Sequence, residues 1–436
     1  MNMKLLSKFL NQSLLFAVVV ATPGQLLADY ERAEDLKASE ILSTEQVSGA
    51  HFSVDERVES DGYLNYYTIR SDYGVFEAAS TAMLLVRLKE IDALAQLDEL
   101  SSTEVFVNAA ADAGLGQIEV ISTFVQRPVS TLAGLPQGVS RMFKRYSRQL
   151  GEAVSDTKEY MATQKELGLS DREYADYKKN AISLTERYFN ISAAERDLAQ
   201  ELGTDPYTSN ETLSEAIKKV AWVDRMGRVA VKVAGKVAGL SIPYVGVLAK
   251  VNDAVWGKDP YELRDYNRAR LLATGATEEL VDAYLKNPWM SPTQQTVLTA
   301  AIGELTEVTG SDGILRQARD LRTPVEVGYF VRSVALLAWY HSKKQPLASV
   351  STELAIPGGI RADGTTVLLF PSDYVYWTET MAQAAREFRA LGAGNPDLKP
   401  ELWILGSVSK RAQTELHKLG YDLNTEFADQ LLGESS

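Results

Sequence analysis

Between residues 101 and 326 a serine or threonine is repeatedly followed three positions later by glutamate or glutamine, as at Ser101/Glu104, Ser170/Glu173, Ser192/Glu195, Thr212/Glu215, Ser291/Gln294 and Thr323/Glu326. In such a pair the hydroxyl takes a free backbone N–H of a first helical turn while the acid or amide reaches back to the cap's own N–H, so each pair marks a helix start. Ser291 and Thr323 are followed directly by Pro292 and Pro324, in the first helical turn, where a backbone N–H has no intrahelical acceptor to lose. Signals this frequent commit the middle of the chain to a helical bundle. Its most apolar member, residues 324–341, offers few polar positions in any direction and is expected at the centre. No fixed-period repeat of the solenoid kind is present.

The ends are patterned differently. Residues 29–46 are polar and acidic and read as a loosely held arm. Short β-favouring runs follow at residues 52–58, 64–70 and 75–78, broken by Asp61-Gly62 and by Ser71-Asp72-Tyr73-Gly74, the spacing of a small antiparallel meander. The last run leads into a helix in which Leu84, Leu85, Leu88, Ile91, Leu94 and Ala95 recur at helical spacing. Near the other end, Asp363-Gly364 joins two apolar runs as a hairpin. A helix near residues 378–390, a strand ending near Gly406 and a helix starting at Ser409 complete a ββαβα unit. The expected class is therefore α+β, mostly α: a helical bundle core between a small antiparallel meander and a small C-terminal ββαβα unit. The divisions are residues 1–28, 29–150, 151–345 and 346–436.

Residues 1–28 place Lys4 and Lys8 before an apolar run from Leu14 to Ala21, then Pro23, Gly24 and Ala28, which is the order of a cleavable secretory signal. Cleavage is expected near Ala28, giving a periplasmic or secreted product. The apolar run has about half the ~20 residues of a membrane span. The chain has no cysteine, which removes disulfides, thiolate metal sites and cysteine nucleophiles together. Formal net charge is -13, and loss of Lys4 and Lys8 takes it to -15. A chain this acidic lacks the net basic face that phosphate backbones demand, so nucleic acid is not an expected partner.

Chemistry is sparse. His51, His341 and His417 are far apart in sequence and none opens a metal-ligand spacing, so no metal and no cofactor are expected. No Gly-x-Ser-x-Gly elbow supports a serine triad. Two weak catalytic candidates remain. Asp373 follows a strand end among Phe370, Tyr374, Tyr376 and Trp377, where aromatic walls could line a pocket and raise the pKa of its carboxyl. Ser407 and Ser409 lie in a strand-to-helix turn, beside Lys410 and Arg411, where backbone donors, Ser409 and the two cations could converge on an anion. The plainer alternatives are an aspartate that opens a turn and a serine that caps a helix.

The clearest anomaly is the distribution of charge. Residues 225–252 hold Arg225, Arg228, Lys232, Lys236 and Lys250 and no acid; residues 120–151 hold Arg127, Arg141, Lys144, Arg145 and Arg148, again without an acid. Both stretches are apolar and punctuated by Gly and Pro. Neither spans a membrane: the longest uncharged run, between Lys236 and Lys250, is shorter than the ~20 residues required, and Pro243 interrupts it. They either pack inside the helical region with their cations against acidic neighbours, or meet an anionic surface with snorkelling basic heads. The expected function is a non-catalytic, envelope-associated binding or accessory protein, with an anionic lipid surface, a small ligand or an envelope protein as partner. The expected binding residues are Arg141, Lys144, Arg145, Arg148, Lys232, Lys236 and Lys250. A periplasmic hydrolase centred on Asp373 and a membrane-active effector are the rivals.

Overall fold

Turn residues and alternation build the N-terminal sheet. β1 (Leu36–Lys37), β2 (Phe52–Val54), β3 (Arg57–Ser60), β4 (Asn65–Ser71) and β5 (Gly74–Ala79) form one antiparallel sheet around β4. Along β4 the buried residues Asn65, Tyr67 and Ile69 alternate with more open positions, the period-two pattern of a sheet with one face on a core. The hairpin to β5 turns at Asp72-Tyr73 and re-enters the sheet at Gly74, whose φ of +126° suits a residue without Cβ. The run expected at residues 52–58 is interrupted at Asp55 and Glu56, so β2 and β3 flank the break and both pair with β4.

The computed structural model describes residues 30–112, 120–121, 138–149, 186–227, 249–391, 399–428 and 431. The segment expected as a loose arm is tied down where it is described. β1 pairs with β3, Asp35 accepts from Arg57 Nε at 2.7 Å, and the one-turn helices α1 (Ala38–Ile41) and α2 (Thr44–Val47) follow. Ala38 is fully buried and supplies an apolar reason for the segment to dock.

α3 (Thr81–Ser101) covers the sheet through Leu84, Leu88, Ile91 and Leu94; Leu85, expected on the same stripe, is 39% exposed. α4 (Glu104–Asp112) starts not from Ser101, which is still in α3, but from Thr103, whose Oγ1 accepts from Phe106 N. α5 (Gly138–Gln149) stands apart in sequence. α6 (Ala193–Glu201) carries the Ser192/Glu195 capping box, whereas α7 (Glu211–Gly227) is capped by Asn210 and not by Thr212. Ser170/Glu173 lies outside the described residues.

α8 (Ala249–Gly257), α9 (Pro260–Ala273), α10 (Glu278–Leu285), α11 (Pro292–Glu304), α12 (Asp312–Arg319) and α13 (Pro324–Lys343) continue the helical layer. The Ser291 box and the Thr323 cap are formed. α13 is buried from Val325 to Tyr340 apart from Gly328, because a helix apolar all round needs neighbours all round. It packs on α11, α5 and the second sheet.

That sheet contains β6 (Leu347–Ser351), β7 (Gly358–Arg361), β8 (Thr366–Phe370), β10 (Glu401–Ile404) and β12 (Asp422–Thr425), in the order β12-β10-β8-β7-β6. β6, β7 and β8 are antiparallel, while β8, β10 and β12 are parallel. Every residue of β8 is buried, as a strand covered on both faces requires. A separate parallel pair, β9 (Tyr374–Val375) with β11 (Ser407–Val408), sits at its carboxyl end. α14 (Glu379–Leu391) and α15 (Lys410–Lys418) are the two C-terminal helices. The molecule is thus α+β, and β6 and β12 extend the sheet beyond the strands expected from sequence.

Candidate functional site

The carboxyl end of β8 gathers the polar groups of both sheets. After Phe370 the chain turns through Pro371 and Ser372, and the backbone of Asp373 is fixed on two sides: its N–H donates to Tyr63 O at 2.9 Å and its carbonyl accepts from Ser407 N at 3.1 Å. Gly406 is required there, since a Cβ on it would lie 2.0 Å from Asp373 O. The Asp373 carboxylate then bridges to the N-terminal sheet. Oδ2 accepts from Asn65 N at 2.9 Å and Oδ1 from Thr81 N at 3.0 Å. Thr81 N is one of the unpaired donors at the start of α3, so the acid sits where helix polarity favours it. Burial pushes the carboxyl up from its ordinary value, and the two amides oppose that shift.

Ser80, between β5 and α3, has φ +105° and is almost wholly buried. This strained backbone is held by Ser80 N donating to Asn65 O at 2.8 Å and by Arg332 Nη1 donating to Ser80 Oγ at 3.0 Å. Tyr329 on α13 pairs with Ser372 Oγ at 2.8 Å. The space that could have been an aromatic-lined pocket is filled instead. Tyr63 stacks on Phe143 at 5.2 Å, and Tyr329 and Phe370 meet both rings edge-on.

Ser407 and Ser409 have partners other than Asp373. Ser407 Oγ donates to Glu426 Oε1 at 2.7 Å, with Glu426 in the left-handed region at φ +56°. Ser409 caps α15 by accepting from Ala412 N at 2.9 Å and donates to Glu31 Oε2, which also takes Trp377 N–H. The turn expected to receive an anion therefore holds the chain's own Glu31 carboxylate. Among the described residues no hydrogen bond joins any two of the Asp373, Ser407 and Ser409 side chains.

Of the basic candidates, Arg141 and Lys144 lie on α5. Val139, Met142 and Phe143 of this helix are buried against α13 and α14. Arg141 is half-buried, and its Nη1, shielded from solvent, has no acceptor among the described residues. Lys144 is exposed. Arg145 and Arg148 belong to α5 and Lys250 to α8, but their side chains lie outside the described residues, as do Lys232 and Lys236 altogether.

Two polar assemblies have no motif in the sequence. Asp61 Oδ1 accepts from Tyr63 N and Leu64 N at 3.0 and 2.8 Å, while Oδ2 takes Tyr66 Oη–H at 3.0 Å and Val139 N at 3.3 Å, so a turn acid anchors the start of α5. Burial raises its pKa. Between α3 and α7, the buried Glu90 is met by Arg87 Nη1, Thr208 Oγ1 and Asn210 Nδ2. Nearby Asp205 accepts from Thr293 Oγ1 at 2.7 Å and Tyr207 N at 2.9 Å, and burial lifts its carboxyl to about 6.

A small notch lined by Phe189, Arg264 and Asn267 leaves room for about one water. His51 pairs with Asp72, and His341 Nδ1 accepts from Leu347 N. Among the described residues no three His, Asp or Glu side chains are grouped as metal ligands, and no helix is long and apolar enough to cross a membrane. No protein-family model, curated protein or solved structure matches the chain.

Proposed function

We propose that the mature chain is a non-catalytic periplasmic or secreted protein that binds an anionic envelope surface through its two acid-free basic segments. The observation that carries this reading is the division of labour on α5. The core consumes its apolar residues Val139, Met142 and Phe143, while Lys144 on the same helix stays exposed and has no protein acceptor among the described residues. An exposed cation on a helix whose described apolar residues are spent on the core offers positive charge to an anion. The structural employment of Asp373, Ser407 and Ser409 supports the non-catalytic half of the proposal. In the same reading, residues 151–345 are a bundle between an N-terminal part, 29–150, and a C-terminal part, 346–436.

Flotation of the purified mature protein with phosphatidylglycerol–phosphatidylethanolamine vesicles tests it. The protein is expected to rise with the vesicles at low salt, to stay down with phosphatidylcholine alone, and to detach as salt increases, because each surface cation contributes only ~1 kcal/mol of screenable attraction. Lys144→Gln should weaken flotation and leave the melting curve unchanged. A wild-type protein that remains at the bottom at low salt would refute the proposal.

A further inference from the structure

α7 leads directly into the second basic segment, and its two faces differ sharply. Leu213, Ala216, Ile217, Val220 and Val223 are buried, and the helix packs on α3, α4 and α6. On the opposite side, Lys218, Trp222, Arg225 and Met226 follow one another at steps of four, three and one residue, an arc of about 100° on a 3.6-residue helix. Trp222 is 42% and Met226 54% exposed, large apolar side chains that the fold leaves uncovered.

The charge on this arc is graded along the helix. Its acids, Glu211 and Glu215, lie in the first half, opposite Arg187 at 3.6 Å and Lys218 at 3.8 Å. The second half presents Trp222 and Met226 around Arg225. From Arg225 onward the chain has no acid until Asp253. An indole and a thioether interleaved with cations match the boundary of an anionic bilayer, where aromatic rings sit at headgroup level and basic groups meet phosphate. A protein partner reading this surface would have to present acids around an apolar recess; a lipid boundary supplies that combination generically.

Resting on the anionic-surface function proposed above, we infer that the C-terminal half of α7 is the membrane-docking edge, with Trp222 and Met226 as the inserting anchor and Lys218 and Arg225 as the flanking contacts to lipid phosphate. α5 then contributes attraction, and α7 contributes insertion.

Vesicles of phosphatidylglycerol and phosphatidylethanolamine, with and without brominated acyl chains, separate this inference from the reading it rests on. The chain has six tryptophans, and Trp222 alone is a large exposed hydrophobic among those described. Bromolipid should quench part of the wild-type fluorescence, and Trp222→Phe should abolish most of that quenching. Trp222→Ser with Met226→Ser should reduce partitioning about tenfold, a change equivalent to ~1.4 kcal/mol, with an unaltered melting curve. Wild-type protein that floats but shows the same quenching after Trp222→Phe overturns the α7 edge and leaves the anionic-surface reading intact. Wild-type protein that does not float overturns both. A concentration-dependent dimer that the double variant converts to monomer, with flotation unaffected, assigns the surface to self-association and also overturns the inference.

Discussion

Replacing Asp205 by asparagine should stabilise the protein, and only above a particular pH. The residue is half-buried between α6 and α7, and its Oδ1 accepts both Thr293 Oγ1–H and Tyr207 N–H. Asparagine can present the same oxygen to both donors, so the substitution preserves the hydrogen bonds and removes the charge. Burial lifts the folded-state pKa from its ordinary value of 3.8 to about 6, with the buried Glu90 a smaller contributor. An acid whose pKa is raised by folding binds its proton more tightly in the folded protein, so lower pH favours the native state. That contribution is fully present below the unfolded pKa of 3.8 and is lost as pH rises through about 6. Two units correspond to about 3 kcal/mol; the residue's remaining solvent contact reduces this to about 1–3 kcal/mol. Urea unfolding of both proteins from pH 4 to pH 7.5 measures it. The Asp205→Asn protein should be the more stable by that amount above pH 6, and the difference should close towards pH 4. A pH-independent difference, or a loss of stability at pH 7.5, would refute the claim that desolvation of this carboxylate dominates its energetics.

Further outcomes follow from other contacts. Asp373→Ala leaves the N–H groups of Asn65 and Thr81 without their acceptor and should cost about 2–4 kcal/mol in urea unfolding; a catalytic aspartate removed from a strained site would leave stability unchanged or improved. Gly406→Ala drives a Cβ into the Asp373 carbonyl, and the expected loss of about 3 kcal/mol or more should appear as a lowered denaturation midpoint. Glu31→Ala removes the acceptor of both Trp377 N–H and Ser409 Oγ–H, so increased acrylamide quenching of indole fluorescence is expected as Trp377, now 5% exposed, opens to solvent.

What could be read in the sequence was local. Ser192, Ser291 and Thr323 cap the helices their spacing announced, because a capping box needs only four consecutive residues to be satisfied. The same rule misplaced two starts by two positions each, since Thr103 and Asn210, not Ser101 and Thr212, cap the helix entries. It also passed over Asp259-Pro260-Tyr261-Glu262, an acid-headed box that opens α9. The turn at Asp363-Gly364 and the cap at Ser409 were legible for the same local reason.

The fate of the candidate site was not legible. Nothing around Asp373 announces amides that lie 308 and 292 residues away, and nothing around Ser409 announces Glu31. Arg87 and Glu90 look like the solvated side of α3, yet both are buried against Ser209, Thr208 and Asn210. Hydrophobic periodicity assigns a face to each helix. Partners from distant segments decide which charges that face conceals.

The separation of these contacts sets an order of events during synthesis. Trp377 N–H and Ser409 Oγ–H reach Glu31 across 346 and 378 residues of chain, and Asn65 N–H reaches Asp373 across 308. An early segment thus waits for a much later one before Glu31 finds its donors and the amides of Asn65 and Thr81 find their acceptor. At about 5–20 residues per second, a gap of that length is tens of seconds in which β4, β5 and α3 are already made but lack the C-terminal half of their anchorage. Loop closure over such distances slows folding even after release, because the entropy is lost before the contacts form. The nascent N-terminal sheet therefore spends that interval with the N–H groups of Asn65 and Thr81 still without their acceptor, and any factor that holds the chain open has its opportunity then.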